Sequence, residues 1–210
     1  LRVSVIVAMI PIIGDRNTPA RLKGGLAILV TVLVLPFVER PVAAADDLFN
    51  LGLSMAGEVF IGIILGFASR LVFAGIQLAG QLVGFQMGFS IVNIIDPVTS
   101  GQVSIIAEFQ YMLVGLLFLA VDGHHMMIQA ISESYRVLPV LGFHMTGDLV
   151  QHLVALSRNM FVVAAKISAP IVAALMFANI GLGLVARTVP QINIFIVGFP
   201  LQIAIGLIGV

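Results

Sequence analysis

Asp122-Gly-His124-His125 is the densest grouping of metal-capable side chains in the chain. Two imidazoles and a carboxylate suit a borderline divalent cation such as zinc. Adjacent histidines, however, point about 100° apart on a helix, so the spacing argues against a shared face and no metal is assigned. No His-Glu-x-x-His, Gly-x-Ser-x-Gly or Gly-x-x-x-x-Gly-Lys run is present, and nothing marks the two adjoining acids of an intramembrane aspartyl protease. Cysteine is absent, which excludes disulfides, thiolate ligands and a cysteine nucleophile. No catalytic residue and no cofactor is therefore assigned.

The remaining charges of interest are Glu58, Arg70, Glu108, Lys166 and Arg187, each within or at the edge of an apolar run. A charge at membrane depth is costly and usually faces a bundle interior, a cavity or a partner. Long basic side chains can instead snorkel to the interface, the bland reading for Arg70, Lys166 and Arg187. Carboxylates are too short for that, so Glu58 and Glu108 are expected in an internal ion pair or polar contact. Glu58, Gln86, Glu108, Arg187 and Gln191 are the candidates for buried polar or subunit contacts. Their partners are not legible at this level.

These residues sit in a chain of 210 residues that is 60% apolar and 10% charged, with a mean hydropathy of +1.16. Soluble domains run nearer 45–50% apolar and about 25% charged, so a membrane protein is expected. Ten basic and ten acidic residues cancel, which offers nothing to nucleic acid. The apolar runs are too long and too uniform for strands, and no internal repeat or linker interrupts them, so the expectation is one all-α domain. Both termini fall within apolar runs and read as incomplete.

Leu1 to Ile13 reads as the end of a spanning helix, and Gly24 to Val38 as a second helix. The loop between them, Gly14 to Lys23, carries three bases against one acid and is expected on the cytoplasmic side; Glu39 to Asp47, with a single base, then lies outside. Leu51 to Ile95 has no proline and would extend about 68 Å as one helix, roughly twice the hydrocarbon thickness. It must therefore fold back near Arg70 or run well out of the membrane. Val103 to Val121, a shorter helix to about Leu138, a second long run from Leu149 to about Thr188, and Ile192 to Val210 complete the series.

Within the third run, Gly62 and Gly66, and then Gly80, Gly84 and Gly88, recur every four residues, a small-residue pattern that lets helix backbones approach closely. The ladder is expected to pack against neighbouring subunits. It feeds a polar, turn-rich loop, Phe89-Ser-Ile-Val-Asn-Ile-Ile-Asp-Pro-Val-Thr-Ser-Gly-Gln102. Such a loop persists at membrane depth only inside protein or facing a water-filled cavity. A packed wall leading to a constriction points to a conduit. Met87, between ladder and loop, is a candidate for a pliable seal.

Two stretches together are similar to a known family. Gly84-Phe-Gln-Met-Gly-Phe-Ser90 with Asp96-Pro97 resembles the central signature of the R subunit of the flagellar type III export gate (the FliR family), whose injectisome counterpart is the T subunit. Ala186-Arg-Thr-Val-Pro-Gln-Ile-Asn-Ile-Phe-Ile-Val-Gly-Phe-Pro200 resembles its other hallmark. Leu116 to His124, Leu138-Pro139 and Pro11 to Arg21 also fit, so the resemblance spans nearly the whole chain.

The resemblance implies a non-enzymatic, pore-forming subunit of long tilted helical hairpins, raised above the bilayer plane, within a helical pore assembly in the bacterial inner membrane at the flagellar basal body. It implies the P and Q subunits (FliP and FliQ families) as partners, with the B and A subunits (FlhB and FlhA families) nearby, membrane lipid around them and unfolded secreted proteins as cargo. It divides the chain into a P-like portion, about 1–148, and a Q-like hairpin, about 149–210. The loop from Phe89 to Gln102 takes the place of the family's channel plug. There Ile91, Val92, Ile94, Ile95 and Val98 would supply an apolar seal. Asn93, Asp96, Thr99 and Ser100 would supply displaceable turns, with Ser90, Pro97 and Gly101 in the same loop.

Two other readings stay open. A stand-alone secondary transporter could couple protons through Glu58 or Glu108, and a virulence injectisome could hold the equivalent subunit. A plain scaffold, its loop packed between subunits, is a further possibility.

Overall fold

A computed structural model of the chain describes residues 1–11, 14, 18–38, 48–89, 104–140, 148–191 and 193–210. Every regular element among them is helical: α1 (Arg2–Met9), α2 (Ala20–Val34) with a 3-10 turn at Leu35–Phe37, α3 (Leu48–Gln86), α4 (Ile105–Ala120), α5 (Gly123–Val137), α6 (Asp148–Thr188) and α7 (Ile194–Gly209). Two compact units result, Leu1–Leu71 with Gly115–Ser157 and Val72–Val114 with Arg158–Val210. Helices α3, α4 and α6 each contribute residues to both.

The proline-free run produces a single helix, α3, with no fold-back at Arg70; at 39 residues it extends about 58 Å. It ends nine residues before Ile95, and the stop is local. Gly88 adopts φ +87°, its N–H donates to the Phe85 carbonyl, and the Phe89 N–H donates to the Gly84 carbonyl. That pair of bonds is the Schellman arrangement, which needs a left-handed residue that glycine supplies without a Cβ clash.

In the first unit, α1 buries Val3, Ile6, Val7 and Ile10 with Ala27, Val30 and Val34 of α2 and Ile131 of α5. Glu58, Gly62 and Gly66 form an i, i+4, i+8 stripe on α3, and α1 lies along it in the parallel sense. A Cβ on Gly62 would stand 2.9 Å from the Arg2 carbonyl oxygen, and one on Gly66 would stand 2.6 Å from Met9 Cβ. Helices α4 and α5 meet at a bend of 70° around Val121–Asp122.

In the second unit, Val83, Met87, Ile106, Ile171 and Leu175 form the core. Ala164, Ser168, Ile171 and Leu175 make one buried stripe along α6, which continues through Pro170. Helix α7 turns back on α6 after Pro190–Gln191: Gln202 Nε2 donates to Asn179 Oδ1, and Gly209 packs on Ile171. These pairings define an antiparallel hairpin.

Candidate functional site

The most completely built polar site lies in the first unit. Arg2 is 0% exposed and Glu58 is 8% exposed. The guanidinium grips the carboxylate in a fork, Nε to Oε2 at 2.9 Å and Nη2 to Oε1 at 2.9 Å. Its other directions end on α5: Nη1 donates to the Ser134 carbonyl at 2.8 Å and to Ser134 Oγ at 3.3 Å, and Nη2 donates to the Leu138 carbonyl at 3.0 Å. The Tyr135 ring stacks on the guanidinium, 4.2 Å from ring centroid to Cζ. A planar cation with five donors can satisfy such a set, whereas a lysine ammonium cannot. A cation at the carboxyl end of α5 also complements that helix dipole. One side chain thus ties α1, α3 and α5 together.

Sequence reasoning placed Glu58 in a polar contact and assigned no role to Arg2. A lone arginine in one apolar run and a lone glutamate in another were the available signal. The other candidate polar residues lie elsewhere. Glu108 is exposed on the first turn of α4, Arg187 on the last turn of α6, and Gln191 in the following turn, while Gln86 is half-buried. An internal ion pair for Glu108 is not what the fold builds: its position faces away from the α3–α4 seam, and no ion pair reaches it among the described residues. Arg70 and Lys166 are exposed as well.

The glycine ladder is filled by the chain itself rather than left open for a neighbour. A Cβ on Gly80 would stand 2.6 Å from both Ala107 Cα and Gln110 Oε1, and one on Gly84 would strike Ser104 Oγ. Gly88 is not a packing step on the helix face but the stop described above, with Phe199 against it. Met87 is 1% exposed in the core of its unit, with its sulfur against Gly206. The candidate plug residues Ser90 to Gln102 lie outside the described residues; Phe89 is half-buried against the core of the second unit. Ser104 lies opposite Gly84. Gly84 of α3 and Ser104, just ahead of α4, thus face each other across one seam. On that seam Ser104 Oγ and Gln110 Oε1 are buried without a hydrogen-bond partner among the described residues, a feature not read from sequence.

Asp122, His124 and His125 come together at the α4–α5 corner, their ligand-capable atoms all within 4.8 Å of one another. The expectation that adjacent histidines diverge is corrected here. The expectation follows the Cα–Cβ directions of two neighbouring helical residues, whereas the ligand-capable atoms lie beyond Cβ and are brought close to Asp122, which precedes α5 in a left-handed conformation (φ 57°).

Ala20–Phe37, Leu48–Gln86 and Leu149–Thr188 are long and apolar enough to cross a membrane, and α4 with α5 makes a fourth if the bent pair is one span. Large apolar side chains such as Ile28, Phe49 and Phe177 stand exposed along these helices, as a lipid or protein surround requires. The fold and its buried ion pair define an all-helical, multi-pass membrane protein with no strand among the described residues. The chain belongs to the bacterial export proteins, family 1, whose model matches residues 1–210. It is similar to the flagellar biosynthetic protein FliR of Bacillus subtilis (strain 168), 38% identical over 99% of this chain and 81% of the relative. The FliR protein of Escherichia coli (strain K12) is 31% identical over 99% and 79%, and that of Caulobacter vibrioides is 31% identical over 98% and 82%.

Proposed function

We propose that the chain is a non-enzymatic subunit of the flagellar protein-export apparatus that forms and gates the secretion pore of the inner membrane. The observation that carries this reading is the end-to-end family match together with relatives named as flagellar biosynthetic proteins. Its partners are the P and Q subunits of the export gate, with the B and A subunits beside them, and its cargo is unfolded flagellar protein. The α6–α7 hairpin corresponds to the Q-like portion, about 149–210, and the preceding chain to the P-like portion, about 1–148. The segment from Phe89 to Gln102 is the plug.

The seam supports that role for the segment. Close contacts at Gly80 and Gly84 and the stop at Gly88 hold the two flanks, so a displaced segment would leave the wall intact. Local opening with low cost next to a well-packed frame is what a gate requires.

Coexpression with the P and Q subunits, purification in detergent and native mass spectrometry test the assembly. A hetero-oligomer containing this chain and both partners is expected, and a monodisperse monomer or homodimer would refute it. Deleting Asn93 to Gly101 in the assembled complex should raise resting ion conductance across a planar bilayer. An unchanged conductance would reject the plug role while leaving subunit membership standing.

A further inference from the structure

We propose that Asp122, His124 and His125 form a binding site for one borderline first-row divalent cation of the zinc type, set into the α4–α5 corner. The distances carry the argument. Zinc holds imidazole nitrogen at about 2.0–2.1 Å and carboxylate oxygen at about 2.0–2.2 Å, so two ligands of a tetrahedral ion stand about 3.4 Å apart. His125 Nδ1 is 3.4 Å from Asp122 Oδ1, and His124 Nε2 is 3.9 Å from the same oxygen. The Asp122–His125 edge of the tetrahedron is already at length, the Asp122–His124 edge is half an ångström too long, and the His124–His125 edge lies within 4.8 Å. The side chains are 40% (His124), 66% (His125) and 73% (Asp122) exposed, which leaves them room to rotate towards a shared ion.

The corner itself is rigid before any ion arrives. Asp122 donates its N–H to the Leu119 carbonyl at 3.2 Å, and its own carbonyl accepts from His125 N at 2.9 Å and Met126 N at 3.3 Å. Gly123 is filled by the Phe118 ring, which a Cβ there would strike. The imidazole centroids lie 4.3 Å apart with the rings tilted by 39°. Among the described residues neither ring nitrogen of His124 is engaged in a hydrogen bond: Nδ1 is buried without a partner, and Nε2 is beyond hydrogen-bond reach of the carboxylate. His124 is therefore not committed to a structural bond that ligation would have to break. The positive end of α5 works against a cation, and the Asp122 carboxylate at that same end offsets it. Three protein ligands leave the fourth position to water or to a group from outside the chain.

The test uses the full chain in neutral detergent, carrying an affinity tag without histidine and stripped with a chelator. Co2+ is titrated while its visible absorption is followed, and Zn2+ is then added in competition. One equivalent of Co2+ is expected to bind and to be displaced by Zn2+. His125→Gln and Asp122→Asn should each weaken binding by about tenfold or more, because removing a ligand from a three-ligand site leaves too few. His152→Gln, on the exposed face of α6, should leave it unchanged. His125 and Asp122 are exposed, so their variants keep the fold, which far-UV circular dichroism verifies. Zn2+ should also raise the thermal midpoint of the wild type and not that of His125→Gln. No saturable binding by the wild type, or binding that His125→Gln and Asp122→Asn leave intact, overturns the proposal.

Discussion

Replacing Glu58 by alanine tests whether the Arg2 site holds the first unit together. Arg2 is completely buried, so it cannot swing into water when its partner goes. Two of its five hydrogen-bond contacts end on Glu58, and these would be left without an acceptor beside an uncompensated charge. Breaking a buried ion pair from one side costs about 3–5 kcal/mol, a large share of the roughly 5–15 kcal/mol that holds a domain folded. Arg2→Ala should cost a similar amount, because Glu58 is stranded and the Ser134 and Leu138 carbonyls lose their donors. The double replacement Arg2→Met with Glu58→Leu behaves differently. It removes both charges and loses only the carbonyl bonds, about 1 kcal/mol each, and the stacking on Tyr135, about 1 kcal/mol, against refilled apolar volume. The double variant should therefore sit within about 2–3 kcal/mol of the wild type, far from the sum of the singles. Guanidinium unfolding in detergent micelles, followed by far-UV circular dichroism because the chain has no tryptophan, measures all four corners of the cycle. A Glu58→Ala variant within about 1 kcal/mol of the wild type, or single effects that simply add, would refute the reasoning.

The glycine seam makes a paired prediction on the same assay. Gly80→Ala meets Ala107 Cα, a backbone atom that cannot rotate away, and should lose about 1–2 kcal/mol to overpacking. Gly183→Ala on α6 meets nothing within 4 Å and should be neutral or gain up to about 1 kcal/mol from helix propensity; the reverse order would mean that the α3–α4 seam is not close-packed. Gly88→Ala places a Cβ on a left-handed residue and 2.8 Å from the Phe199 ring, so a loss of about 1–2 kcal/mol or more is expected, read as a lower unfolding midpoint. Asn179→Leu removes the acceptor of Gln202 across the α6–α7 hairpin and should cost about 1 kcal/mol, with no change if that bond contributes nothing.

Helix identity was legible because an apolar chain at membrane depth has few ways to satisfy its backbone groups. Leu149 to about Thr188 matches α6 closely, and the 190–191 turn follows from Pro190, which cannot continue a helix. The third run was harder. Gly88 was read as one more step of a ladder, because spacing cannot reveal a φ of +87° or the hydrogen bonds that close a Schellman stop.

The sequence by itself determined the class of the protein, the all-helical architecture and the family, since composition, hydrophobic run length and ordered motifs are properties of the chain alone. Only the tertiary structure decided which polar groups meet. Arg2 reaches Glu58 across 56 residues and Ser134 across 132, a match set by how α1, α3 and α5 pack. Glu108, just as promising in sequence, is turned outward by the face that α4 presents to Gly80 and Gly84. The same holds for Asp122, His124 and His125, whose ligand-capable atoms meet at the α4–α5 corner. A one-dimensional pattern records which residues share a helix face; it does not record which faces are brought together, and that choice belongs to packing.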